Sequence, residues 1–159
     1  SGAPINIHPA TSDILSKTHR EPGESKDFLD NGNYIENTAN HYVQVIDQNG
    51  VPSPALIVMK STQLKKSRKW NSMMMSVKLE GANGLYTPPM FSQQYRLTVV
   101  SESNDRGKWH GWEIERIGSV EDAGIYQTAK LFSESIQAGQ VNVKHESDEK
   151  PAGDTHSHF

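Results

Sequence analysis

The sequence predicts a mainly β domain with two helices, and three observations carry that prediction. Apolar and polar residues alternate over short runs at 41–46, 94–101 and 108–117, the period of half-buried strands. Two longer segments, one capped by Ser61 or Thr62 and one over about residues 121–137, repeat apolar side chains at helical spacing. Turn chemistry punctuates the runs at Asp47-Gln-Asn-Gly50 and at Asn104-Asp105-Arg106-Gly107. With a short strand at 34–37 counted, the order is three strands, a helix, a two-stranded hairpin and a second helix. That is the order of an OB-like five-stranded antiparallel barrel with flanking helices, an α+β arrangement.

The chain has 159 residues, a length for one domain with appendages. Its mean hydropathy of −0.69 is low, and the apolar deficit sits at the two ends. Residues 1–32 therefore read as an extended N-terminal arm, 33–143 as the core domain and 144–159 as a polar acidic C-terminal tail. The arm carries Pro4, Pro9, Pro22 and Gly23 and no apolar period. In the first long strand Tyr42, Gln44 and Ile46 alternate against His41, Val43 and Val45, and residues 55–59 continue as a more buried partner.

The helix that follows is expected to end at Gly81. Leu64, Asn71, Met74 and Met75 share one side of it, and Lys65, Lys66, Lys69 and Ser72 the other. Its Met73-Met74-Met75 triplet reads as adaptable core filler. Residues 81–91, with Gly84 and Pro88-Pro89, read as a loop exposing Tyr86 and Phe91. In the hairpin, Tyr95, Leu97 and Val99 share one face and Arg96, Thr98 and Val100 the other, while Trp112 and Ile114 face away from Trp109. One indole is thus assigned to the core and the other is available. The second helix carries Ile125, Ala129, Phe132 and Ile136 along one stripe with Gly139 at its end, and residues 141–143 add a final edge strand.

Composition narrows the function. The chain has no cysteine, so it holds no disulfide or thiolate zinc site, which fits a reducing cytoplasm. No run approaches the ~20 apolar residues of a membrane span and nothing at the start resembles a signal peptide, so the chain reads as soluble and cytoplasmic, with no membrane partner. Phosphate loops, dinucleotide fingerprints, nucleophile elbows and zinc-helix motifs are missing. Glu113 and Glu115 near His110 have the residue types of a metal nuclease, but alternating acids on a half-exposed strand ordinarily face solvent. His156 and His158 offer no fixed geometry. No metal and no cofactor is assigned, and the chain is read as non-enzymatic.

The strongest signal is electrostatic. Residues 60–78 carry six positive charges and no carboxylate in a chain of net charge −3. Residues 1–48 carry three basic and seven acidic side chains, and the last sixteen two basic and four acidic, so positive charge is concentrated in one place. A solvated helix face is the plain reading of such a run; an anionic partner is the functional one. For a single-stranded nucleic acid, Lys65, Lys66, Arg68, Lys69, Arg96 and Lys108 are candidates for the phosphates, and Trp70, Tyr95 and Trp109 for stacking on bases.

The runs Ser-Thr-Gln-Leu-Lys-Lys-Ser-Arg-Lys-Trp-Asn-Ser-Met-Met (61–74), Pro-Pro-Met-Phe-Ser (88–92), Tyr-Arg-Leu (95–97) and Asn-Asp-Arg-Gly-Lys-Trp-His-Gly-Trp-Glu-Ile (104–114) resemble a group of small tailed-bacteriophage proteins, some of them suspected single-stranded DNA-binding proteins. The resemblance covers about residues 34–143. It implies an OB-fold DNA replication or recombination accessory protein, sequence-tolerant for single-stranded DNA, in the cytoplasm of an infected bacterial host. The terminal Phe159 behind Asp148 and Glu149 resembles the carboxyl tips with which bacterial and phage single-strand binders recruit replication or recombination enzymes, although Thr155, His156, Ser157 and His158 intervene here. The alternative function is a phage virion or assembly protein, a homo-oligomer whose arm and tail contact neighbouring subunits.

Overall fold

A computed structural model describes residues 6–139, which divide by their internal contacts at Glu36/Asn37. The expected edge strand at 141–143 and the tail lie outside the described residues.

The unit before Asn37 is held by polar contacts and turn chemistry. Ser12 caps a 3-10 turn over Asp13–Lys17, its hydroxyl accepting from the Ile14 N–H at 3.2 Å. β1 (Thr18–His19), β2 (Asp27–Leu29) and β3 (Tyr34–Ile35) then form an antiparallel meander in that order. Arg20 grips Asp27 through two bonds of 2.9 and 2.8 Å, which holds the Asp27 carboxyl below its ordinary range. The Lys26 ammonium sits 4.2 Å from the centre of the Tyr34 ring. Residues expected to be an extended arm thus contain a small sheet. An ion pair, a cation–π contact and an Asn31-Gly32 turn build it, and none of these produces an apolar period.

The unit from Asn37 onward contains two long hairpins. β4 (Thr38–Ile46) and β5 (Pro52–Lys60) pair in continuous register around a turn in which one Asp47 carboxylate oxygen accepts from the Asn49 and Val51 N–H groups at 2.8 and 2.9 Å. A 3-10 turn over Ser61–Gln63 leads into α1 (Leu64–Ser76), so Ser61 and Thr62 belong to that turn and Gln63, without a side-chain cap bond, stands where either was expected to cap the helix. Residues expected to be loop fold into a small hairpin of β6 (Leu79–Gly81) and β7 (Gly84–Tyr86), so Gly81 belongs to a strand and the helix ends at Ser76. β8 (Gln93–Asn104) and β9 (Gly107–Ser119) form the second long hairpin, closed by Asp105 and Arg106 and carrying a bulge at Gln94/Tyr95. α2 (Ala123–Gln137) starts at Asp122, whose side chain accepts from the Ile125 N–H at 2.9 Å, and ends at Gly139, whose φ of 69° supplies the left-handed stop.

The core of this unit forms where α1 meets both hairpins. Met59 of β5 is 0% exposed, Trp70 of α1 is 5% exposed, and Ile114 of β9 joins them, with Val43, Ile57, Met73, Met74, Tyr95, Leu97 and Trp112 packed around. The buried stripe of α1 is Ser67, Trp70, Met73 and Met74, whereas Met75 is exposed. His41 stacks on Trp70 with ring centres 4.6 Å apart and shares a 2.7 Å hydrogen bond between its Nε2 and the Ser67 hydroxyl. Tyr95 meets Trp70 edge-on at 5.8 Å.

The architecture is mainly β with two helices, as expected, but among the described residues the strands form separate small antiparallel sheets and not a closed five-stranded OB-like barrel. β3, which the barrel needed as its first strand, is paired with β2. β4 and β5 pair only with each other, as do β8 and β9, and the indole and thioether side chains of α1 bury the apolar faces that barrel closure would have covered. No helix among the described residues is long and apolar enough to cross a membrane.

Candidate functional site

The first turns of α1 and the tip of the β8–β9 hairpin enclose an open groove of about 500 Å³, lined on the helix side by Ser61, Thr62, Lys65 and Arg68 and on the hairpin side by Glu102, Ser103, Asn104 and Trp109. The chain turns sharply to make it. Ser61 has φ 54°, the left-handed region that a non-glycine residue occupies at a cost of order 1–3 kcal/mol. This bend carries the backbone from β5 into the helix and brings the two hydroxyl side chains to the mouth of the groove.

A polar network joins the walls. One oxygen of the Glu102 carboxylate accepts from the Lys66 ammonium at 2.7 Å. The other accepts from the Trp109 indole N–H at 2.7 Å and from the Gln63 side-chain amide at 3.2 Å. Gln63 in turn accepts the Trp112 backbone N–H at 3.0 Å, which satisfies a donor that β8 leaves unpaired. Lys66 first, then Trp109 and Gln63, hold the Glu102 carboxyl down to about 2 against the upward push of burial. The carboxylate lies against the backbone of Gly111, where a Cβ would stand 2.1 Å from its oxygen, so any side chain at position 111 displaces it.

The sequence candidates separate accordingly. Lys65 and Arg68 are exposed and line the groove, and Trp109 forms its half-buried aromatic wall. Lys66 projects between helix and hairpin, with only 22% of its side chain exposed, and is engaged by Glu102. Lys69 is exposed on α1 but does not line the groove, and Lys108 is exposed beside the hairpin tip. Arg96 faces solvent and pairs with Glu115 at 3.5 Å. Trp70 is removed from any stacking surface, because His41 covers its face and Tyr95 its edge. Tyr95 is likewise packed inward, with a buried hydroxyl whose ionisation burial pushes upward. The division of the β9 indoles is as alternation indicated: Trp112 packs on the core and Trp109 faces the groove. Glu113, Glu115 and His110 are exposed, and no cluster of three metal-ligating side chains occurs among the described residues. Asp148, Glu149 and Phe159 lie outside the described residues.

Sequence reasoning missed Glu102, Gln63 and Gly111. A lone Glu near a polar turn, a Gln before a helix and a Gly inside a strand are each ordinary in sequence, and only their convergence makes them a unit.

Residues 2–142 match the model of a protein family described as Pam3 phage gp34-like protein. No curated protein and no solved structure matches the chain.

Proposed function

The chain belongs to the Pam3 phage gp34-like protein family, and from that premise we propose that it is a non-enzymatic binder of single-stranded DNA that acts in phage replication or recombination in the host cytoplasm. The observation that carries this reading is the pairing of Lys65 and Arg68 with the Trp109 ring across one open groove. A single strand needs cations along its phosphates and a flat ring for a base, and both are present within one nucleotide-sized space. The hydroxyls of Ser61, Thr62 and Ser103 and the amide of Asn104 add uncharged hydrogen-bonding groups that suit phosphate and sugar oxygens. This mode requires a groove and not a closed barrel. The tail residues Asp148, Glu149 and Phe159 belong to the same proposal as a docking tip for replication or recombination enzymes.

Titration of a fluorescent oligonucleotide tests the reading. Single strands should bind more tightly than duplex, with affinity falling as salt rises through counterion release. Exchange of Lys65 and Arg68 for Glu should abolish most of the binding, and Trp109→Ala should lose roughly 1–3 kcal/mol of it. Salt-insensitive or absent binding overturns the proposal.

A second reading, a virion or assembly protein, draws support from the hairpins themselves. Two-stranded sheets leave strand edges open, and Val45, Val99 and Ile117 are large exposed apolar side chains on those strands. Concentration-dependent oligomerisation with no preference for single strands would favour it.

A further inference from the structure

Three donors from two elements converge on one carboxylate at the floor of the groove: Lys66 Nζ, Trp109 Nε1 and Gln63 Nε2, at 2.7, 2.7 and 3.2 Å from Glu102. Only 17% of the Glu102 side chain is exposed, and Gly111 leaves the space it lies in. The result is an anion receptor already filled by an anion of the protein's own. Its neighbours Lys65 and Arg68 are exposed, and their only carboxylate neighbour in the groove lining is Glu102, which Lys66 neutralises.

We propose that Glu102 is a built-in counter-ion that withdraws Lys66 from the ligand and holds the Trp109 ring in place, so that Lys65 and Arg68 make the phosphate contacts of the groove. The ligand in this statement rests on the single-strand reading above; the engagement of Lys66 does not. Glu102 then acts as the positioning residue that limits affinity. A strand phosphate gains two cations instead of three, and the indole presents a fixed face whose rotation is restrained by its N–H bond. Such restraint lowers the ordering cost of stacking. Sequence-tolerant binders release their strand when partners need it, and a withheld cation keeps release accessible.

Two measurements on the full chain test this. In the first, exposed amines are acetylated with a water-soluble reagent and the modified lysines are mapped by mass spectrometry. Lys65 and Lys69 should react readily and Lys66 several-fold more slowly, and E102Q should bring Lys66 to the rate of the other two. Equal rates in the wild type, or a Lys66 that stays protected in E102Q, overturn the proposal whether or not DNA binds. In the second, single-strand affinity is measured against salt. E102Q should tighten binding roughly fivefold at low salt and steepen the logarithmic salt dependence by about 0.7, the increment of one further phosphate contact on a single strand. K66M/E102Q should return to the wild-type slope. E134Q, the same change of charge on α2, should leave the slope unaltered. A wild type that binds no single strand ends the functional reading while the labelling still decides the role of Glu102. A wild type that binds, with E102Q at the same slope, overturns the counter-ion and leaves the functional reading standing.

Discussion

The two ends of the β8–β9 hairpin meet the same helix by opposite chemistry. At the base, Tyr95, Leu97, Trp112 and Ile114 pack on Trp70 and its neighbouring methionines, a contact made of apolar area and ring stacking. At the tip, Glu102 and Trp109 meet Gln63 and Lys66 through hydrogen bonds and an ion pair. The base fixes where the helix lies, without needing any particular polar group. The tip needs each donor to find its acceptor, and it leaves Lys65, Arg68 and one face of an indole at the surface. Apolar burial is concentrated at one end of the contact and polar and cationic side chains at the other.

The sharpest way to break this division is Trp70→Ala. The indole is buried between the two long hairpins, so its removal should cost about 3–5 kcal/mol in urea-induced unfolding, far more than the loss of stability expected from Trp109→Ala. Equal losses from the two would mean that the tip is part of the core.

Acidification should separate the ends by pH. Burial pushes the His41 imidazole at the base below its ordinary 6.5, so the folded state resists its protonation, and that contribution is present above about pH 6.5 and is lost as pH falls below it. Glu102 at the tip is held from an ordinary 4.5 down to about 2, so its contribution is complete above 4.5 and is lost between there and 2, where the unfolded chain binds the proton more readily. Melting temperature followed from neutral pH to about pH 2 should therefore decline in two stages. E102Q should flatten the lower stage alone, and His41→Gln the upper. A lower stage unchanged in E102Q would remove the network from the account of stability.

The smallest effect is expected at Arg96. Its pairing with Glu115 is exposed on both sides, so Arg96→Ala should change stability by about 0.5 kcal/mol or less. On the proposed single-strand function, affinity should stay at the wild-type level, because Arg96 stands apart from the groove lining. A large loss of binding would extend the interface across the outer face of the hairpin.

Sequence by itself determined what depends on neighbours along the chain. Alternation located β4, β8 and β9 and a short apolar run located β5, although each runs one to several residues longer than its apolar pattern, since ladder pairing continues past the last buried side chain. The Asp47 and Asn104 turns and the Gly139 stop were legible because each acts on backbone groups within a few residues. The cationic run on α1 needed only counting. Tertiary structure decided everything that depends on what lies across a face. Helical spacing grouped Leu64, Asn71, Met74 and Met75 on one side of α1, whereas the buried stripe is Ser67, Trp70, Met73 and Met74, because Trp70 fills the space between two hairpins. Pairing partners were equally open, because a strand's period is the same in a closed barrel and in a two-stranded hairpin, and β3 joined β2 through charge and turn chemistry that carries no period. The groove was the least legible. Glu102 meets Lys66 and Gln63 across a long stretch of sequence, and its hold on them requires the bare backbone of Gly111, a steric condition that only three-dimensional proximity creates.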